Sequence, residues 1–145
     1  MPFAFLSRLR GGSLARCRIS GLTVSVDGIA FWVKVAGDPK AYARILRDTD
    51  ALRVTDISRG ALPAGSGALI LAEGLRAATL ASGQRLIFSG ITNAETLAHC
   101  ESDLIAADSL LGRLGARALR QIGLEPVAYQ FELVRGKLDL QIVVR

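Results

Sequence analysis

Gly65-Ser66-Gly67 stands directly before an apolar run at helical spacing, Ala68, Leu71, Ala72, Leu75, Ala78 and Thr79. A helix start carries backbone N–H groups with no intrahelical acceptor, at the positive end of the helix dipole. Glycines at 65 and 67 let the backbone approach a ligand closely and take conformations closed to other residues. Residues 65–68 therefore suit an anion, in particular a phosphate or pyrophosphate. Loop-to-helix punctuation is the competing account of the same residues.

Other reactive side chains are sparse. His99 is the only histidine, so it lacks partners for a metal cluster, and a Ser-His-Asp triad would rest on it alone. Cys17 and Cys100 are far apart and without motif context, which excludes a disulfide framework or a zinc site and leaves reduced thiols. Arg113, Arg117 and Arg120 share one side of a helical pattern whose other side is Ala107, Leu111, Leu114, Ala118 and Ile122. That stripe fits nucleic acid, a phosphate ligand or, better, a solvated helix face.

The elements that must position these groups follow from periodicity. Leu22, Val24 and Val26 alternate with polar residues, Asp27-Gly28 signals a turn, and Ile29, Phe31, Val33 and Val35 resume the alternation. This predicts a hairpin, with Trp32 assigned to core packing on its other face. Asp38-Pro39 reads as a helix cap, with Tyr42, Ile45 and Leu46 as the apolar side of a short helix. Leu52 to Ile57 reads as a central strand. Ser82-Gly83 stops the glycine-led helix, and Leu86-Ile87-Phe88 begins another strand. Residues 94–121 read as helical with a break near Gly115. A second hairpin runs from Val127 to Val144 around Gly136. The expected fold is α+β: a mixed, mainly antiparallel central sheet with helices on both faces.

Residues 50–145 resemble the GNAT (GCN5-related) N-acetyltransferase family. The resemblance rests on LPAGSGALILAEGLRAA, SGQRLIFSGITN and ALRQIGLEPVAYQFELVRGKLDLQI in that order. The family carries Gln/Arg-x-x-Gly-x-Gly/Ala, whose backbone amides hold the acetyl-CoA pyrophosphate. Gly65 and Gly67 match its glycines, and Leu62 stands at its first position. The resemblance implies acetyl-CoA as acyl donor, held by Ile57, Gly65, Ser66, Gly67, Ala68 and Asn93, and an amine as acceptor. It implies Asp56 as the base and, because Leu119 replaces the usual tyrosine, Tyr129 as the proton donor. A non-catalytic member of the same fold is one alternative. The other is a regulatory module similar to STAS anti-sigma antagonist domains, with Ser66 as a phosphorylation site.

The length suits one domain, residues 1–145, with 1–16 as a basic lead hinged at Gly11-Gly12. Half the residues are hydrophobic, which excludes a disordered chain. No run approaches the roughly 18 to 20 apolar residues of a membrane span. Met1 to Arg10 has too short an apolar stretch for a secretory leader, so the expected location is cytoplasmic. A net charge of +5 favours anionic partners. Nucleic acid is disfavoured because stacking aromatics at useful spacing are missing. A protein partner and a homodimer both stay open.

Overall fold

Strict alternation builds the N-terminal half of the sheet. The computed structural model describes residues 19 and 21–145; the basic lead and Cys17 lie outside them. Strands β1 (Leu22–Asp27) and β2 (Ala30–Val35) form the expected hairpin around the two residues Gly28 and Ile29. Gly28 takes the first central position with a φ of +60°, a conformation that costs glycine nothing.

The next segment departs from expectation. Residues Asp38–Arg47 form strand β3, not a helix. Ala41, Ala43 and Ile45 alternate with Tyr42 and Arg44, and this period of two puts the first three on one buried face. Pairing with β2 on one side and with β4 (Ala51–Arg59) on the other outweighs the capping signal. Asp38 instead braces a turn, accepting hydrogen bonds from the N–H groups of Lys40 and Ala61, each at 3.1 Å.

Helix α1 (Ser66–Ala77) crosses back to strand β5 (Arg85–Phe88), which pairs parallel with β4. Thr79, expected on the helix's apolar side, lies past its end, exposed and with a φ of +55°. Helix α2 (Ala94–Glu101), a 3-10 turn at Ala106–Asp108 and helix α3 (Leu110–Gln121) follow. The expected break at Gly115 therefore falls earlier, over residues 102–109. Gly115 stays inside α3 because it lacks a side chain: a Cβ there would sit 2.7 Å from Ile142 Cδ1 and 3.0 Å from Phe88 Cε2. Strands β6 (Pro126–Val134) and β7 (Lys137–Val144) close the chain as the second expected hairpin.

The described strands form one seven-stranded sheet, ordered β1-β2-β3-β4-β5-β7-β6. Only the β4–β5 pair is parallel. Helices α1 and α3 pack side by side on one face. Gly74 of α1 lies over Val33 and Ile45, while Gly115 of α3 lies over Phe88 and Ile142. Cross-strand pairing of Ile45 with Val54, and of Val54 with Phe88, places these contacts on the same side. Among the described residues the opposite face carries no helix, so the arrangement with helices on both faces is not observed. Trp32, assigned to the core, lies on that open face and is 41% exposed.

Candidate functional site

Strands β4 and β5 stay together only from Ala51↔Arg85 to Val54↔Phe88, ending with Ser89 N–H donating to the Val54 carbonyl at 3.0 Å. Beyond that point β4 continues from Thr55 to Arg59 with β3 on one side only. The β3–β4 register shifts opposite Thr55, a bulge that bends the strand where the cleft opens. A cavity of about 450 Å³ fills the gap. Its walls are β4 from Val54 to Arg59, the start of α1, the Phe88–Asn93 segment and the inner end of α3.

Of the residues expected at a site, Asp56, Ile57, Gly65, Gly67, Ala68 and Asn93 line this one cavity. Gly65 precedes α1 with a φ of +92°, conformationally accessible to glycine, and no side chain caps the helix. Gly67 and Ala68 belong to its first turn, where N–H groups lack intrahelical acceptors. No acidic residue occupies that turn to satisfy them. The lining contains three arginines and one carboxylate, Asp56: Arg113 is paired with Glu95 at 3.4 Å, Arg59 donates to the Leu62 carbonyl, and Arg117 has no ion-pair partner among the described residues. The balance favours an anionic ligand.

Two expected residues are not brought to the cavity. Ser66 is fully buried behind the glycine loop. Tyr129 lies on β6 opposite Ile142, where burial pushes its hydroxyl pKa up. Asn93 reaches the rim, with its amide oxygen committed to helix α2: it accepts from Thr96 N–H at 2.9 Å and from Thr96 Oγ1 at 2.8 Å. Leu119 is fully buried in the core.

Residues that sequence reasoning did not single out complete the geometry. Tyr42, placed by the unexpected strand β3, donates its hydroxyl proton to Asp56 Oδ2 at 2.7 Å. That bond, reinforced by the nearby carboxylate charge, raises the Tyr42 pKa above 10.0, so the hydroxyl is a neutral donor at physiological pH. Asp139, 4% exposed, accepts from Gly90 N–H at 2.9 Å and from Arg53 at 3.3 Å. It thereby fixes the loop after β5 that forms one wall of the cavity. No sequence motif marks either residue, since each acts through a partner distant in the chain.

His99 Nδ1 lies 3.8 Å from Glu95 Oε1 on α2, away from the cavity lining. Among the described residues no group of three potential ligands is placed to hold a metal, and no helix is long and apolar enough to cross a membrane. The sequence matches no protein-family model and no curated protein.

Proposed function

We propose that the chain binds an acyl-CoA in the β4–β5 cleft and transfers the acyl group to an amine. The observation that carries this reading is the convergence of the glycine loop, the start of α1 and the unpaired length of β4 on one cavity. The strand order also supports it. An antiparallel meander, a parallel crossover through the glycine-led helix and a terminal hairpin follow the layout implied by the acetyltransferase resemblance.

The amides of Gly67 and Ala68 would hold a pyrophosphate, and Arg117 would add charge at the α3 side, joined by Arg113 if it leaves its partner Glu95. The Thr55–Arg59 edge of β4 offers backbone groups to an extended amide-bearing arm. When bound, the thioester supplies an already activated acyl group. The protein then contributes chiefly position and proton transfer. Asp56 accepts the proton released by the amine as the C–N bond forms. Neither tyrosine lines the cleft, and of the two Tyr42 is the one joined to it, through its hydroxyl bond to Asp56, so a proton for the departing thiolate would come from Tyr42 by way of that bond.

The burial of Leu119, at the position of the family's usual tyrosine, favours a second reading in which the cleft binds the ligand without turnover. The STAS-like alternative is disfavoured, because β7 sits inside the sheet and Ser66 is inaccessible. A cytoplasmic location accords with a soluble cofactor.

Thermal melting with acetyl-CoA, using ATP as control, tests binding. The expected result is an acetyl-CoA-specific rise in Tm that is lost when Gly65 and Gly67 are replaced by bulky residues. Release of free thiol in the presence of amines separates transfer from binding alone. No stabilisation at millimolar acetyl-CoA would refute both.

A further inference from the structure

The open face of the sheet carries two adjacent cross-strand rows. Ser25, Trp32, Arg44 and Asp56 form one; Thr23, Lys34, Tyr42 and Ser58 form the other. At their centre the Trp32 and Tyr42 rings lie 6.4 Å apart, tilted by 46°. Lys34 Nζ is 4.9 Å and Arg44 Cζ 5.8 Å from the Trp32 ring centroid. Neither cation pairs with a carboxylate among the described residues. A second cavity, of about 360 Å³, opens here between Trp32, Lys34, Tyr42, Gly37 and Pro39. That volume suits a small molecule.

One hydrogen bond links the two cavities. Tyr42 lines the second, Asp56 lines the first, and the 2.7 Å hydrogen bond between them joins the two walls. Two cations with no carboxylate partner among the described residues stand beside the tryptophan, and the Asp56 carboxylate, cross-strand neighbour of Arg44, stands at the cleft.

We infer that this second cavity receives the acceptor, a small amine that carries an aromatic ring and a carboxylate. The inference rests on the acyl-transfer reading above and adds the substrate class. The acceptor ring packs against Tyr42 and Trp32, displacing Lys34 from its place over the indole and turning it toward the ligand's carboxylate. Its carboxylate meets Lys34, which lines the cavity, with Arg44 next to it beside the same indole, and its amine reaches toward Asp56. A ligand with separated opposite charges matches this surface better than a polyanion, which Asp56 repels. The chemistry balances: the acceptor's ammonium first loses one proton to solvent, the neutral amine then gives one to Asp56 as a C–N bond replaces the C–S bond, and the thiolate takes one from Tyr42.

Trp32 is the protein's only tryptophan, so its fluorescence reports on this cavity directly. L-phenylalanine, excited negligibly at wavelengths that select tryptophan, is the probe. The expected result is a saturable change at millimolar concentration or below. Removing either the ligand's carboxylate (phenethylamine) or a cation (Lys34→Met, Arg44→Met) should weaken it about tenfold, the loss of one charge-assisted contact. Both substituted side chains are exposed, so the variants should melt as the parent does.

No saturable response to L-phenylalanine overturns the inference. Equal responses from phenethylamine and from the Lys34→Met and Arg44→Met variants overturn it too, as does a response to a single-stranded oligonucleotide alone. Acetyl-CoA melting reads the first cavity independently. A normal acetyl-CoA shift without a phenylalanine response removes only the acceptor assignment. A phenylalanine response without any acetyl-CoA shift removes the acyl-transfer reading and the acceptor role with it.

Discussion

The Tyr42 hydroxyl donates to Asp56 Oδ2 at 2.7 Å, joining the open face of β3 to the strand that borders the cleft. The pairing has a titration signature. The chain has two tyrosines. Hydrogen bonding to Asp56 is the chief reason the Tyr42 pKa is raised, and desolvation is the chief reason for Tyr129. In a Tyr129→Phe variant, ultraviolet titration of the remaining phenol should therefore give a value above 10.0. Adding Asp56→Ala should return it toward 10.0. A raised folded pKa stabilises the fold below the unfolded value, and that contribution disappears as pH rises through the folded one. The stability difference between parent and Asp56→Ala should accordingly narrow on the alkaline side. A phenol titrating at its ordinary value in the Tyr129→Phe background would contradict the hydrogen bond.

Gly65 separates strain from collision. Its φ is +92°, and no atom lies within 4 Å of the place a Cβ would take. Gly65→Ala should cost about 1–2 kcal/mol of stability through backbone strain alone. Chemical denaturation would measure this loss. The same variant should show a smaller acetyl-CoA shift, because relaxing the loop moves the first turn of α1.

Gly112 presents the opposite case. A Cβ there would come within 2.2 Å of the Ala106 carbonyl oxygen and 3.0 Å of that of Ala107. Backbone cannot swing aside as a side-chain tip can, and Ser109 Oγ already holds the Ala106 carbonyl at 2.7 Å. Gly112→Ala should lose about 2–3 kcal/mol despite alanine's better helix propensity. The urea midpoint should drop, and an increase would show that propensity outweighs packing here.

Asn93 combines a cap with a place at the rim. Replacing it by alanine removes the acceptor for the Thr96 N–H and should cost about 1 kcal/mol. Asn93→Asp keeps an acceptor and should preserve stability. It also brings a negative charge to the cleft, so acetyl-CoA affinity should fall while Tm in the absence of ligand holds. Parallel losses in both variants would reduce Asn93 to a structural residue.

Asp139 holds the loop through Gly90 and pairs with Arg53, whose side chain is 34% exposed. Removing the guanidinium in Arg53→Met leaves a buried carboxylate with the Gly90 N–H and no cation. The cost should be about 2 kcal/mol, reduced by solvent screening at the arginine. A melting curve indistinguishable from the parent would mean that the pair contributes nothing to the fold.

Much of the architecture is local and therefore readable from residue order. The hairpins at Gly28 and Gly136 follow from alternation around turn residues, and α1 follows from the spacing of Ala68, Leu71, Ala72 and Leu75 after a glycine loop. Asp56, Ile57 and the Gly65–Ala68 loop were placed on neighbouring elements by the same logic, although only Gly65, Gly67 and Ala68 of the loop reach the cavity. Strand β3 escaped because Asp38-Pro39 mimics a cap, and its alternation, Ala41-Ala43-Ile45, uses small residues whose burial depends on strands at both sides.

What lay beyond sequence reasoning is non-local in each case. Tyr42 meets Asp56 only because β3 pairs with β4 in one register. Asp139 meets Arg53 across 86 positions, because the final strand inserts beside β5. Trp32 faces outward because α1 and α3 cover the same side of the sheet. Composition and periodicity encode which segments extend or coil, since those preferences act between near neighbours. The meeting of distant side chains is set when burial of the apolar faces selects one register and one packing.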